Sequence, residues 1–75
     1  MEYRNYKTWE YIGLNITYYR KLKGMTQMDL AEKCGISRTH MQRIESASSA
    51  WSGDLIMDIA NALEIPLYKL FQFRD

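Results

Sequence analysis

The sequence predicts an all-α bundle of five helices in a single domain spanning residues 1–75. Three observations predict it. Apolar residues recur at helical spacing, no alternating β-branched run occurs, and Ser, Thr and Gly stand where helices need caps and stops.

Residues 1–8 are expected as an N-terminal arm, with Thr8 capping the first helix and Glu10 in its first turn. Ile12, Ile16, Tyr19 and Lys23 then follow at helical spacing, with Leu22 beside that stripe. Lys21 and Lys23 suit the negative end of the helix dipole, and Gly24 stops the helix. Thr26 opens a second helix, where Asp29, three residues on, gives the pattern of a capping box. Leu30, Ala31 and Cys34 face inward. Gly35 is expected to turn the chain with positive φ, and Ile36 to plug the corner. Ser37 caps a third helix with Met41 and Ile44 on its buried side. A Ser/Ala-rich loop, residues 46–51, leads to Ser52, which caps a fourth helix with Asp54 in its first turn. Leu55, Ile59, Ala60 and Leu63 form that helix's apolar face. Pro66 fits the first position of a short fifth helix anchored by Leu67, Leu70 and Phe71, and residues 72–75 follow as a tail.

Size and composition narrow the classes. A core this small rarely supplies more than roughly 3–5 kcal/mol unaided. Cys34 is the only cysteine and His40 the only histidine, which excludes a disulfide and a four-ligand zinc site. Helix packing and self-association remain, and 47% hydrophobic residues suffice for a compact core. No apolar stretch approaches the ~20 residues needed to span a bilayer. The opening MEYRNYKTWE lacks a signal peptide's apolar segment, so a cytoplasmic protein is expected. No paired acid and base, nucleophile constellation or phosphate loop is present. Neither catalysis nor a cofactor, metal or small-molecule ligand is therefore expected.

Net charge is only +1, but it is unevenly spread. Residues 11–45 hold six basic groups (Arg20, Lys21, Lys23, Lys33, Arg38, Arg43) against three acidic ones (Asp29, Glu32, Glu45). Residues 46–75 hold two basic and four acidic groups. The positive part coincides with residues 25–45, MTQMDLAEKCGISRTHMQRIE, which has the punctuation of two short helices joined by a tight turn. At 100° per residue, Met41 and Ile44 point to one side of the third helix. Thr39, Gln42 and Arg43 point to the other, flanked by Arg38 and His40. Such groups suit base edges: Arg pairs with guanine, Gln with adenine, and a Thr methyl meets the thymine methyl. The free amides at the same helix's N-terminus suit a phosphate. A merely solvated polar face is the plainer alternative, and the preceding helix with Gln27 at its start weighs against it.

Together these residues resemble the Cro/repressor-type (Xre) helix-turn-helix family, over about residues 12–71. The matching features are Ile16 and Arg20, Thr26-Gln27, Leu30-Ala31, Gly35-Ile36-Ser37, Ile44-Glu45, then Leu55, Ala60, Leu63 and Leu70-Phe71. The resemblance implies a five-helix lambda-repressor-like bundle whose second and third helices form the helix-turn-helix. It also implies a DNA-binding transcriptional regulator, reading a palindromic operator in double-stranded DNA as a homodimer. Gln27 would touch the phosphate backbone; Arg38, Thr39 and Arg43 would read bases; Ser37, His40 and Gln42 would support them through phosphates or edge contacts. Arg20 and Glu45 match a pair that joins the first and third helices by an ion pair. A planar guanidinium fork suits a carboxylate in a partly buried place.

The chain departs from the family pattern in several places. The family usually has a Gly and basic residues after the Glu, then a Pro; here residues 46–51 read SASSAW. The third helix must end without its usual glycine, and no cation in that loop can grip a phosphate. Trp51 is a packing anchor in place of Pro, or an exposed partner contact. Thr17 stands where a second Arg is common. These departures support an alternative: a protein-interaction module, antitoxin-like or an adaptor subunit, with the same fold and weak DNA affinity. Tyr3, Tyr6, Trp9 and Tyr11 make the N-terminus aromatic, and Tyr11, Leu14 and Tyr18 form a second stripe on the first helix. They serve local packing or a dimer contact, alongside the dimer surface expected at Leu67, Phe71 and Phe73. Cys34 reads as a small core residue, and Met28 as exposed.

Overall fold

A computed structural model describes residues 5–47 and 52–72. Four α-helices, α1 (Tyr6–Leu22), α2 (Gln27–Cys34), α3 (Arg38–Glu45) and α4 (Gly53–Leu63), precede a closing 3-10 helix, Leu67–Phe71. No strand occurs among the described residues, and none of their helices is long and apolar enough to cross a membrane. Ile12, Ile16, Leu30, Met41, Ile44, Ile59, Leu63 and Leu70 are fully buried, so every helix delivers at least one large side chain to one core. On α4, Ile56 is buried and Leu55 only partly so, which shifts the expected apolar face by one residue.

The expected fifth α-helix is a 3-10 helix instead. Pro66 is its N-cap, at φ −63° and ψ 144°, rather than its first helical residue. Five residues leave little room for i→i−4 bonds, and Lys69 donates to the Pro66 carbonyl at 3.1 Å, an i→i−3 bond. Its far end is fixed from α1: the buried Asn15 amide donates to the carbonyls of Leu70 and Gln72, both at 2.9 Å. Only Leu70 of the three expected anchors is buried; Leu67 and Phe71 are 37% and 45% exposed.

α1 begins earlier than expected, inside the stretch read as an N-terminal arm. Asn5, not Thr8, is the N-cap of α1, and it makes no side-chain cap bond. Tertiary packing extends the helix instead: Trp9 donates its N–H to the Asn5 carbonyl at 3.0 Å and packs against the core. One turn apart, the Tyr6 hydroxyl donates to the Glu10 carboxylate at 2.9 Å. Residues 1–4 of the expected arm, including Tyr3, lie outside the described residues, as do residues 48–51 with Trp51, and 73–75 with Phe73.

Three helices end by the same device. At the ends of α1, α2 and α4, a left-handed residue lets the next N–H reach back five residues: Met25 to Arg20, Ile36 to Ala31 and Ile65 to Ala60, at 3.0, 3.0 and 3.1 Å. Each of those next residues, Met25, Ile36 and Ile65, packs against the core. Gly24 and Gly35 supply the left-handed position for the first two, at φ 72° and 70°. Glu64 supplies the third at φ 58°, where its Cβ crowds the backbone. After α3, Ala47 takes φ 61° in place of the family's glycine, with its methyl buried.

α1 and α3 approach tightly at Gly13. A Cβ placed on Gly13 would lie 2.3 Å from the Glu45 carbonyl oxygen, a backbone atom that cannot swing aside. Gly13→Ala is expected to destabilise the fold by about 3 kcal/mol, the upper range for overpacking, read as a lower urea midpoint. Glu64→Gly is expected to raise stability by about 0.5–1 kcal/mol in the same assay, since relief of left-handed strain exceeds the added unfolded-state entropy.

Candidate nucleic-acid interface

α2 and α3 are each set by a side-chain cap. The Thr26 hydroxyl accepts from Asp29 N–H at 3.0 Å, while the Asp29 carboxylate accepts from Thr26 N–H at 2.9 Å. The backbone bond from Thr26, then its side chain, holds the Asp29 carboxyl below the ordinary aspartate range. Because that value is lowered in the folded state, the cap's contribution is present above the usual range and is lost as pH falls through the lowered one. Ser37 caps α3, its hydroxyl accepting from His40 N–H at 3.0 Å. Between them, Gly35 and Ile36 make the corner.

Met41 and Ile44 anchor α3 in the core, which fixes what faces outward. Ser37, Arg38, Thr39, Gln42 and Arg43 are exposed, and His40 is partly buried. The structure thus brings two cations, two hydroxyls and an amide onto the outer surface of one short helix. Gln27 opens α2 and is partly buried, with its amide nitrogen turned to Glu45 rather than to solvent.

Glu45, the last residue of α3, is the hub that joins the helices. Arg20 Nε meets its Oε2 at 2.9 Å and Arg20 Nη2 its Oε1 at 3.1 Å, with the two side chains only 9% and 6% exposed. Arg20 Nη1 donates to the Met25 carbonyl at 2.8 Å and so ties the α1–α2 turn to the same fork. Thr17 Oγ1 and Gln27 Nε2 reach Glu45 Oε1 at 2.9 and 3.2 Å. Sequence reasoning paired Arg20 with Glu45 but missed Gly13, and marked Thr17 as a departure without its bond to Glu45. A signal was there: Gly13, Thr17 and Arg20 stand at i, i+4 and i+7, one face of α1.

Cys34 is partly buried between α2 and α4 in a cleft of about 520 Å³ that it shares with Lys33, Asp58 and Glu64. Burial, and then the Asp58 charge, push its thiol above the ordinary range, so the nucleophilic thiolate is disfavoured. Met28 is exposed, as expected; the second stripe on α1, Tyr11, Leu14 and Tyr18, is exposed too, as is Leu22, which the spacing sets beside the buried stripe.

Two helices joined by a glycine-turned corner, the second with an outward polar face, form the unit that lays one helix into a DNA groove. The model of the helix-turn-helix family matches residues 16–70, and the chain belongs to that Cro/repressor-type (Xre) family of transcriptional regulators. An uncharacterized HTH-type transcriptional regulator of Methanocaldococcus jannaschii, MJ0272, is 35% identical over 60 residues, covering 80% of this chain and 91% of its own. Among solved structures, the restriction-modification controller protein C.AhdI from Aeromonas hydrophila superposes with a TM-score of 0.84 at 29% identity, over 88% of this chain and all (100%) of the other. The biofilm master regulator SinR, solved in complex with DNA, superposes with a TM-score of 0.75 at 29% identity, over 81% and 98% of the two chains.

Glu45→Ala would strand the Arg20 guanidinium in a place shielded from water. Thermal and urea unfolding are expected to show a loss of roughly 3–5 kcal/mol, whereas replacing Arg20 and Glu45 together with Met should cost clearly less.

Proposed function

We propose that this regulator binds DNA sequence-specifically as a homodimer and reads a palindromic operator through the major groove. The observation that carries the reading is the outward face of α3, where Arg38, Thr39, Gln42 and Arg43 are exposed on a helix pinned by Met41, Ile44 and Glu45. Arg38, Thr39 and Arg43 are assigned to base edges. Ser37, His40 and Gln42 support them at phosphates and edges, and Gln27 meets the backbone at the head of α2. SinR, at 29% identity, is the relative whose DNA complex lends this reading support.

One helix of eight residues spans few base pairs, so two copies are needed for a useful site. Their recognition helices would lie about 34 Å apart on successive turns of one DNA face. Leu67, Tyr68 and Phe71 are exposed on the 3-10 helix, which Asn15 ties to α1, and Leu14, next to Asn15 in sequence, is exposed as well. That apolar surface is the proposed dimer contact.

The second reading is a protein-interaction module with weak DNA affinity. The absence of Lys and Arg from residues 46–51, with a net charge of +1, favours it. Selection from a random DNA pool at about 50 and 200 mM salt separates the two. A palindrome with half-sites one helical turn apart is expected at the higher salt. Arg38→Ala and Arg43→Ala should each then lose roughly 1–3 kcal/mol and relax specificity at one position. Salt-sensitive retention without a motif would favour the interaction module.

A further inference from the structure

Glu45 Oε1 has more donors than sites. Thr17 Oγ1, Arg20 Nη2 and Gln27 Nε2 approach it at 2.9, 3.1 and 3.2 Å. A carboxylate oxygen offers about two lone-pair sites. Oε2 carries a single donor, Arg20 Nε at 2.9 Å, so the crowding is confined to Oε1. The Gln27 contact is the longest of the three and comes from a neutral amide, so it is the weakest.

We propose that Gln27 is held on Glu45 in the free protein and transfers its amide nitrogen to a DNA phosphate on binding. Thr17 is the positioning residue that permits this transfer. The proposal rests on the DNA-binding reading above. When Nε2 leaves, Thr17 and Arg20 still fill both sites of Oε1. No acceptor is left bare, although the Glu45 side chain is only 6% exposed and water has little access to it. The Thr17 proton has a second acceptor in reach, the Gly13 carbonyl at 3.1 Å, but the carboxylate is nearer and charged and takes it. A residue without a hydroxyl at position 17 would make Glu45 depend on Gln27 and so hold it back from DNA. Thr brings one neutral donor of the right reach.

A double-mutant cycle tests this. Fluorescence anisotropy with a mixed-sequence DNA duplex at low salt would compare wild type, Thr17→Val, Thr17→Ser, Gln27→Ala and the Thr17→Val/Gln27→Ala double variant. Gln27→Ala is expected to weaken binding several-fold with an unchanged salt slope, because a neutral amide releases no counterion. Thr17→Val is expected to weaken the wild-type chain about three- to tenfold, yet leave the affinity of the Gln27→Ala chain where it is. Thr17→Ser should bind like wild type. In NMR spectra, the Gln27 side-chain amide should shift on adding duplex to wild type and move less in Thr17→Val. Equal weakening by Thr17→Val in both backgrounds would reduce Thr17 to a packing role and overturn the proposal, as would no weakening in either. If wild type binds no duplex even at low salt, the DNA-binding reading falls and the transfer falls with it. If wild type binds and the cycle is flat, only the transfer falls.

Discussion

The arrangement of α1, α2 and α3 depends on one carboxylate reaching one face of α1. Glu45 can meet Arg20 and Thr17 only because Gly13 lets the end of α3 rest against the α1 backbone. The ion pair is not a large source of net stability, since buried pairs repay little beyond their own desolvation. Its value is geometric. Apolar side chains such as Ile16, Met41 and Ile44 tolerate small slides and rotations of one helix on another. A guanidinium fork on a carboxylate, with a third nitrogen on the Met25 carbonyl, tolerates far less. The outward direction of α3 is therefore set by Arg20 and Glu45 as much as by the core.

A domain of this size has few buried side chains to spend on rigidity, and its helix ends compensate. Thr26, Ser37 and Ser52 each accept an N–H at the start of a helix. The ends of α1, α2 and α4 each satisfy carbonyls and carry Met25, Ile36 or Ile65 onto the core in the same step. Chain reversals thus become part of the packed structure. The α2–α3 corner gains most, because the orientation of two short helices there decides which groups face a ligand.

Much of this was legible in the sequence. The caps at Thr26, Ser37 and Ser52, the Gly35 corner, and Leu30, Met41, Ile44 and Leu63 in the core follow from local chemistry and helical period, and the structure has them. The misreadings share one cause: the deciding partner is distant in sequence. Thr8 looked like a cap because nothing local shows that Trp9 packs on the core and carries α1 back to Tyr6. The last segment read as an α-helix because Asn15 is 55 residues from the carbonyl of Leu70 that it takes. Gln27 shows the same limit at the site, since its local position suits a phosphate while its bond runs to Glu45, 18 residues on. Gly13 was overlooked, and Thr17 was noted only as a departure from the family pattern, because a small residue in a helix signals a neighbour without naming it.

The same economy bears on how such a protein would discriminate among DNA sequences. Non-specific affinity grows with the phosphates neutralised, each adding to the salt dependence. Residues 46–51 add no cation, and the acidic groups of residues 46–75 outnumber the basic ones by four to two. In the proposed complex, the cations nearest the bases, Arg38 and Arg43, lie on α3, so part of the charge attraction is bound up with base reading. Such a protein spends little of its affinity on arbitrary DNA, and what counts in a genome is the ratio of specific to non-specific binding. Low charge then favours selectivity, provided that α3 is rigid and doubled by symmetry. The Glu45 hub serves the first condition, and the apolar surface proposed as the dimer contact would serve the second.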